Sequence, residues 1–318
     1  SAAGFCLRAL GRLAEAVELM QGGLDLRIRT ESWKNAVFSA SNLSELTLIL
    51  GDVRRAVAFG KQSVELADRS DSFARILSRA TWADALHQAD RQEESAAAFR
   101  EAEAMSAEWQ PGYPRLYSFT GYRYCDLLLS QAESEAGAGL AGLTANPKAR
   151  ERFREVLERG EYALRIAEES RLLLDIALDH LTLGRAHLGL ALVTPHVKDW
   201  DAEWTRAAED LNQAVNGLRQ AGTEHNLPWA LLARAAFRRL SADFTGASAD
   251  LAEVLEIAER GPMRLHECDA HLELARLCQD QGQLDEARCH VERARELVEQ
   301  TGYGRRTREV EYLRRVLA

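Results

Sequence analysis

The sequence predicts an all-α chain, a solenoid of helical hairpins running almost from end to end. Three observations carry that prediction. Short stretches recur at a fixed spacing: "GRLAEAVELM" from Gly11, "GDVRRAVAFG" from Gly51 and "DRQEESAAAF" from Asp90, then "AEWTRAAEDL" from Ala202, "ADFTGASADL" from Ala242 and "GQLDEARCHV" from Gly282. Within each set the spacing is 39 or 40 residues. In each stretch a turn residue comes first and a small residue follows five positions later. Upstream lies an apolar stripe with helical i, i+3, i+4 spacing, as in "SNLSELTLIL", "ATWADALHQA" and "AHLELARLCQ". Composition agrees: six prolines, 7% aromatic residues and a wealth of Ala, Leu, Glu and Arg favour helix. Two amphipathic helices joined by a tight turn bury their stripes only by stacking on further copies.

Seven hairpins can be placed, over residues 1–29, 30–70, 71–109, 112–170, 171–221, 224–261 and 263–301. A partial helix at 2–10 pairs with 12–28, 31–50 with 52–69, and 72–88 with 91–108. Further on, 114–132 pairs with 148–169, 172–193 with 200–220, 228–240 with 244–259, and 264–281 with 284–300. Turns at Gly222, "ERGP" 259–262 and "QPGYP" 110–114 fall between hairpins, where Gly and Pro belong. Residues 303–318 read as a capping helix with Val310, Leu313, Val316 and Leu317 on one face. On the second helices, Ala16, Ala56, Ser95, Ala207, Ala247 and Ala287 recur, with Ala102, Ala214 and Ala294 one face further along. Small residues there let a neighbour's bulky side chain sit close.

This grammar resembles the tetratricopeptide repeat, over nearly the whole chain. In that family the first helix carries a Leu followed by a small residue. Here the corresponding pairs are Leu43–Ser44, Trp82–Ala83, Tyr124–Cys125, Leu183–Gly184 and Leu274–Ala275. The period exceeds the family's, so the helices are longer. The resemblance implies a right-handed superhelix whose first helices line a concave groove for an extended peptide. Family groove position two falls on Phe38, Leu77, Phe119, Leu178, Trp229 and Asp269. Position nine falls on Glu45, Asp84, Asp126, Arg185, Ala236 and Arg276. The expected partner-binding groove is therefore Phe38, Glu45, Leu77, Asp84, His87, Phe119, Tyr122, Asp126, Arg185, Trp229 and Arg276. It would be acidic in its first half, more basic in its second, with an aromatic rim. A solvated inner wall with no partner is the alternative reading of the same charges. Two insertions break the period. Residues 132–150, rich in Gly and Ala, read as a linker; residues 194–204, with His196, Trp200 and Trp204, could cover part of the groove.

Other chemistry finds little support. The net charge of −9 argues against general nucleic-acid binding, which needs a basic face. No apolar run reaches the ~18 residues of a membrane span, and no signal peptide opens the chain. Five cysteines without a CxxC pair suggest a reducing, cytoplasmic setting. "FGKQS" at 59–63 lacks the upstream glycine of a phosphate loop and sits inside an expected helix. His266, Cys268, His271, Cys278, Cys289 and His290 crowd together in sequence, but structural zinc wants convergent close pairs, and packing is the reading taken. No metal, no cofactor and no enzyme activity is expected.

The stretches "GYPRLYSFTGYRYCDLLL", "LPWALLARAAFRRLSADFTGASADLAEVLEIAERGPMRLHECDAHLELARL" and "TGYGRR" are similar to the C-terminal sensor region of bacterial signal-transduction ATPases of the NACHT (STAND) type. That resemblance implies a sensor that binds a protein or peptide trigger, or an ATPase module in the same full-length chain. The chain begins with Ser and would be the sensor fragment. The alternative is a stand-alone adaptor that scaffolds other proteins without a switch.

Overall fold

A computed structural model describes residues 13–137, 146–193 and 200–318. Among them are fourteen α-helices and one short 3₁₀ turn, with no β-strand. In chain order the helices are α1 (Leu13–Arg29), α2 (Trp33–Ile49), α3 (Val53–Ala67), α4 (Ser72–Gln88), α5 (Gln92–Trp109), α6 (Ser118–Ala136) and α7 (Pro147–Ser170). They continue with α8 (Leu173–Val193), α9 (Trp200–Ala221), α10 (Leu227–Leu240), α11 (Phe244–Arg260), α12 (Arg264–Asp280) and α13 (Leu284–Thr301). The 3₁₀ turn Gly304–Arg306 leads into α14 (Thr307–Val316). The expected partial helix at 2–10 lies outside the described residues.

The chain groups into two compact bodies. The first is Ser1–Leu116 with Ala258–Glu267 and Arg295–Thr307; the second is Tyr117–Ile257 with Cys268–Ala294 and Arg308–Ala318. In the first, α1 to α5 pack in sequence, and α2 also touches α4. In the second, α6 to α10 pack in sequence, and α6 touches α8 as α8 touches α10. First helices of successive hairpins thus form a layer of their own within each body. No helix of the described residues is long and apolar enough to cross a membrane.

In four of the six repeated stretches the turn residue that opens them has a definite job; Ala202, expected as a turn, instead lies inside α9, and Gly11 lies outside the described residues. Gly51, Asp90, Ala242 and Gly282 have φ of +83°, +61°, +60° and +76°, in the left-handed region. The next residue then donates its N–H five residues back, closing the preceding helix: Asp52 to Thr47 (2.8 Å), Arg91 to Leu86 (2.9 Å), Asp243 to Arg238 (2.8 Å) and Gln283 to Cys278 (2.8 Å). This is the Schellman stop, which satisfies otherwise orphaned carbonyls. In two cases the following Asp starts the second helix: Asp52 accepts from the Arg55 N–H and Asp243 from the Gly246 N–H, each at 3.0 Å. A single left-handed residue followed by a cap is the whole turn.

The small residues mark where helices touch. Ala16, Ala56, Ser95, Ala102, Ala207, Ala214, Ala247, Ala287 and Ala294 are all completely buried. Where serine stands at such a contact, its hydroxyl donates across the hairpin: Ser44 to the Ala56 carbonyl and Ser95 to the Ala83 carbonyl, both at 2.7 Å. Gly60, inside "FGKQS", lies within α3 and is a packing residue. A Cβ there would stand 2.9 Å from the Trp82 Cα, so only hydrogen lets α3 and α4 approach this closely.

Three expectations need correction. The 132–150 segment is not all linker: α6 continues to Ala136, burying Ala132 and Ala136 one turn apart, and α7 starts at Pro147 behind the Asn146 cap. Only 138–145 remain of it, outside the described residues, as do 194–199 of the second insertion. The fourth hairpin starts later than expected, at Ser118, because Tyr117 is still extended (φ −137°, ψ −179°). In the cap α14, Val310, Leu313 and Leu317 are buried, but Val316 is exposed because the helix ends there.

The first body holds a contact that a nearest-neighbour array would lack. A Cβ on Gly51 would lie 2.6 Å from the Arg264 Cβ and 2.8 Å from the Thr301 Cγ2, and one on Gly304 would lie 2.7 Å from the Ala89 carbonyl oxygen. Arg305 Nη1 donates to Gln88 Oε1 at 3.3 Å. Residues 258–267 and 295–307 therefore sit on the turns that end α2 and α4.

Candidate functional site

The expected groove residues divide between the two bodies. In the first body, Phe38 near the start of α2 stacks on Phe73 at the start of α4, with ring centroids 6.4 Å apart. Phe73 in turn meets Trp109 at the end of α5, at 5.9 Å. Phe73 and Trp109 remain 47% and 46% exposed, and Tyr113 just beyond is 42% exposed. Leu77, one turn along α4 from Phe73, is half-buried. Glu45 and Asp84 are half-buried, and Asp84 accepts from Gln88 Nε2 at 3.0 Å. His87 is 1% exposed and belongs to the interior rather than to an accessible face.

In the second body three ring-bearing positions converge. Phe119 and Tyr122 on α6 and Trp229 on α10 have ring centroids 5.2 to 6.3 Å apart. Arg123 lays its guanidinium over the Phe119 ring at 4.3 Å, a cation–π contact. One turn along α6, Asp126 accepts from Arg185 Nη1 on α8 at 2.6 Å, and Glu133 from Arg185 Nη2 at 3.2 Å. Burial opposes the Arg185 charge, yet Glu133, Asp126 and Tyr122 outweigh it and hold the guanidinium charged. Arg276 on α12 bonds Glu273 at 3.0 Å and also pairs with Glu309 on α14. Glu273 accepts from Arg239 on α10 at 2.6 Å. Asp126 and Arg185, both expected to face a partner, are thus bonded to one another across neighbouring helices, and Arg276 is bonded to Glu273 and Glu309. Such pairs fix how helices stack and have little charge left over for selecting a ligand.

Sequence reasoning missed several residues at the same places. Asp175 on α8 accepts from the Ser118 hydroxyl at 2.7 Å. Asp179, one turn on, is 2% exposed, and its Oδ2 has no hydrogen-bond partner. Two acidic residues four apart in the apolar run "LLDIALDHLTLGRAHLGLALV" were a visible signal. On the other side of α8, His180 Nδ1 lies 2.8 Å from Asp210, and His187 Nδ1 lies 2.5 Å from Glu203, forming a polar seam with α9. Trp204 of the second insertion stacks on Phe237 at 5.1 Å. Near the C-terminus, Cys268 and Cys278 are buried, Cys289 is exposed, and the Nδ1 atoms of His271 and His290 are 3.0 Å apart. Among the described residues no His, Cys, Asp or Glu gather in threes suited to a metal.

Compared with protein-family models and with curated proteins, the chain matches none. Its class is therefore set by the fold: an all-helical array of stacked hairpins, with aromatic clusters that include residues of the first helices.

Proposed function

We propose that the chain is a tetratricopeptide-type interaction module that binds a peptide or protein partner on the face formed by its first helices. The observation that carries this is the exposed stack Phe38–Phe73–Trp109. Large rings left half open to water at a helix layer are costly to solvate and are the residues most often used as binding anchors. By its resemblance to sensor regions of signalling ATPases, we read the module as the regulatory part of such a protein, with the bound partner as its trigger. A displayed peptide library, screened against the chain and against a Phe73→Ser/Trp109→Ser variant, tests the reading. Both side chains are half exposed, so the variant keeps its fold. Peptides held by the parent and lost by the variant support a partner face here. Equal retention, or no binders at all, overturns it.

A further inference from the structure

The second body contains a buried carboxyl with no counter-charge beside it. Asp179 is 98% buried by its 2% exposure, and its Oδ2 accepts no hydrogen bond. Asp175, one turn earlier on the same face of α8, is also buried and is met only by the neutral Ser118 hydroxyl, at 2.7 Å. An ionised carboxylate in such surroundings is strongly unfavourable unless a cation accompanies it. The arginines on the adjoining turns are committed elsewhere: Arg123 to the Phe119 ring at 4.3 Å, Arg185 to Asp126 and Glu133.

The register of the helices places this pair beside the aromatic cluster. Ser118 touches Asp175; one turn further along each helix come Tyr122 on α6 and Asp179 on α8. Tyr122 stacks on Trp229 of α10 at 5.2 Å, and Phe119 lies 6.1 Å from the same ring. Ser118, Phe119 and Trp229 are partly open to solvent, whereas the carboxylates behind them are not. Ser118 itself has φ +56°. The other left-handed non-glycine residues close a helix C-terminus, whereas Ser118 opens a helix. That strained backbone holds its hydroxyl against Asp175.

We propose that the junction of the N-terminal turns of α6, α8 and α10 binds an ammonium or guanidinium group, with Asp179 and Asp175 as its counter-charges and Tyr122 and Trp229 as its ring faces. Carboxylates supply the charge and hydrogen-bond acceptors, and the ring quadrupoles add a cation–π contribution that neutral ligands cannot gain. Burial and the Asp175 charge push the Asp179 carboxyl up to about 8, so the empty site holds a proton near neutrality that an arriving cation displaces. A lysine or arginine side chain of a peptide and a free alkylamine share this chemistry. The inference rests on the partner-face reading above and names the group that the face takes.

The test uses the full chain and titrates n-butylammonium, n-butylguanidinium and neutral n-butanol, following the Trp229 indole N–H signal, assigned with a Trp229→Phe variant. Acetylated hexapeptides with a central Lys, Arg or norleucine form the second arm. The cations, free or in peptides, are expected to bind at least about tenfold tighter than the neutral counterparts, and Asp179→Asn to abolish that preference. Asp175→Asn, where the polar contact to Ser118 survives, should weaken it less. Binding by free cations alone makes the natural ligand a small amine; binding by Lys or Arg peptides alone makes it a protein side chain; both support the site. Norleucine peptides that bind as well as lysine ones, lost in Trp229→Ala but kept in Asp179→Asn, overturn the cation site while leaving the partner face. Butylammonium binding with no peptide binding at all leaves the cation site and overturns a peptide face in this body. No cation preference anywhere, with Asp179 protonated at pH 7, reduces the pair to a buried acid hydrogen-bonded to water.

Discussion

Replacing Asp179 by asparagine should make the protein more stable at alkaline pH and leave it nearly unchanged in mild acid. In the folded chain, burial first and the Asp175 charge second raise this carboxyl from 3.8 to about 8. An unfolded chain takes up the same proton only near pH 4. Between those values the folded state binds more protons than the unfolded one, so stability falls as pH rises from about 4 to about 8 and is lowest above 8. Burial also raises Asp175, which adds to the trend in the same sense. At 1.36 kcal/mol per pK unit, the penalty at pH 8.5 is on the order of 5 kcal/mol, and an amide, which never ionises, escapes it. Urea unfolding followed by circular dichroism at pH 5, 6.5 and 8.5, at constant ionic strength, reads the difference between parent and variant. Titrating groups away from the pair act on both proteins alike and cancel, whereas Asp175, coupled to Asp179, is relieved of its neighbour's charge in the variant, which acts in the same direction. The variant's advantage should grow by several kcal/mol across the series. An advantage independent of pH, or a parent that gains on the variant as pH rises, would refute the argument that Asp179 is buried without a counter-charge.

Three further outcomes follow from packing and turn geometry. Ala242 occupies a left-handed turn position that Gly51 and Gly282 fill elsewhere, so Ala242→Gly should raise the free energy of unfolding by about 0.5–1 kcal/mol; a loss of stability in the same urea assay contradicts the turn assignment. Ala247 is fully buried at a tight helix contact, so Ala247→Leu should cost ~1–3 kcal/mol through overpacking, and an unchanged melting temperature would show that the helices can part freely there. Arg234 holds Asp250 through two bonds, at 3.0 and 2.7 Å, with both side chains nearly fully buried. Arg238 Nη1 also lies 2.9 Å from Asp250, so Arg234→Met should cost only about 1–2 kcal/mol, whereas Arg234→Met/Arg238→Met, which strands the carboxylate, should cost at least about 3 kcal/mol; a double variant no weaker than the single one would rule this out.

How much of this was legible in the sequence depends on how local the signal was. The 40-residue recurrence of Ala207, Ala247 and Ala287 gave the hairpin register, because a zero-clearance contact admits few residue types. The left-handed turns at Gly51 and Gly282 could be read from glycine, while Asp90 and Ala242 adopt the same geometry with nothing in their identity to announce it. The charges at position nine were visible, but their meaning was not. Asp126 and Arg185 lie 59 residues apart, and their bond exists only once α6 and α8 are stacked. Phe73 and Trp109 fall outside the repeat grammar: their positions at the two ends of one hairpin, α4 and α5, make a surface feature that no periodic pattern encodes. Asp175 and Asp179 were noticeable as acids in an apolar helix, yet whether their partner was a cation, a water or nothing needed coordinates.

The seating of Gly304 and Thr301 against the turns at Ala89 and Gly51 has a consequence for how the protein is made. An open array can fold hairpin by hairpin as it leaves the ribosome, each stage stable on the one before. Here the first compact body is unfinished when its first five helices have emerged, since it also needs residues 258–267 and 295–307. At ~5–20 residues per second, synthesis leaves that surface uncovered for roughly 10–40 s. During that interval the ends of α2 and α4 are open to other chains, and to chaperones, at the places that Arg264, Thr301 and Gly304 will later occupy.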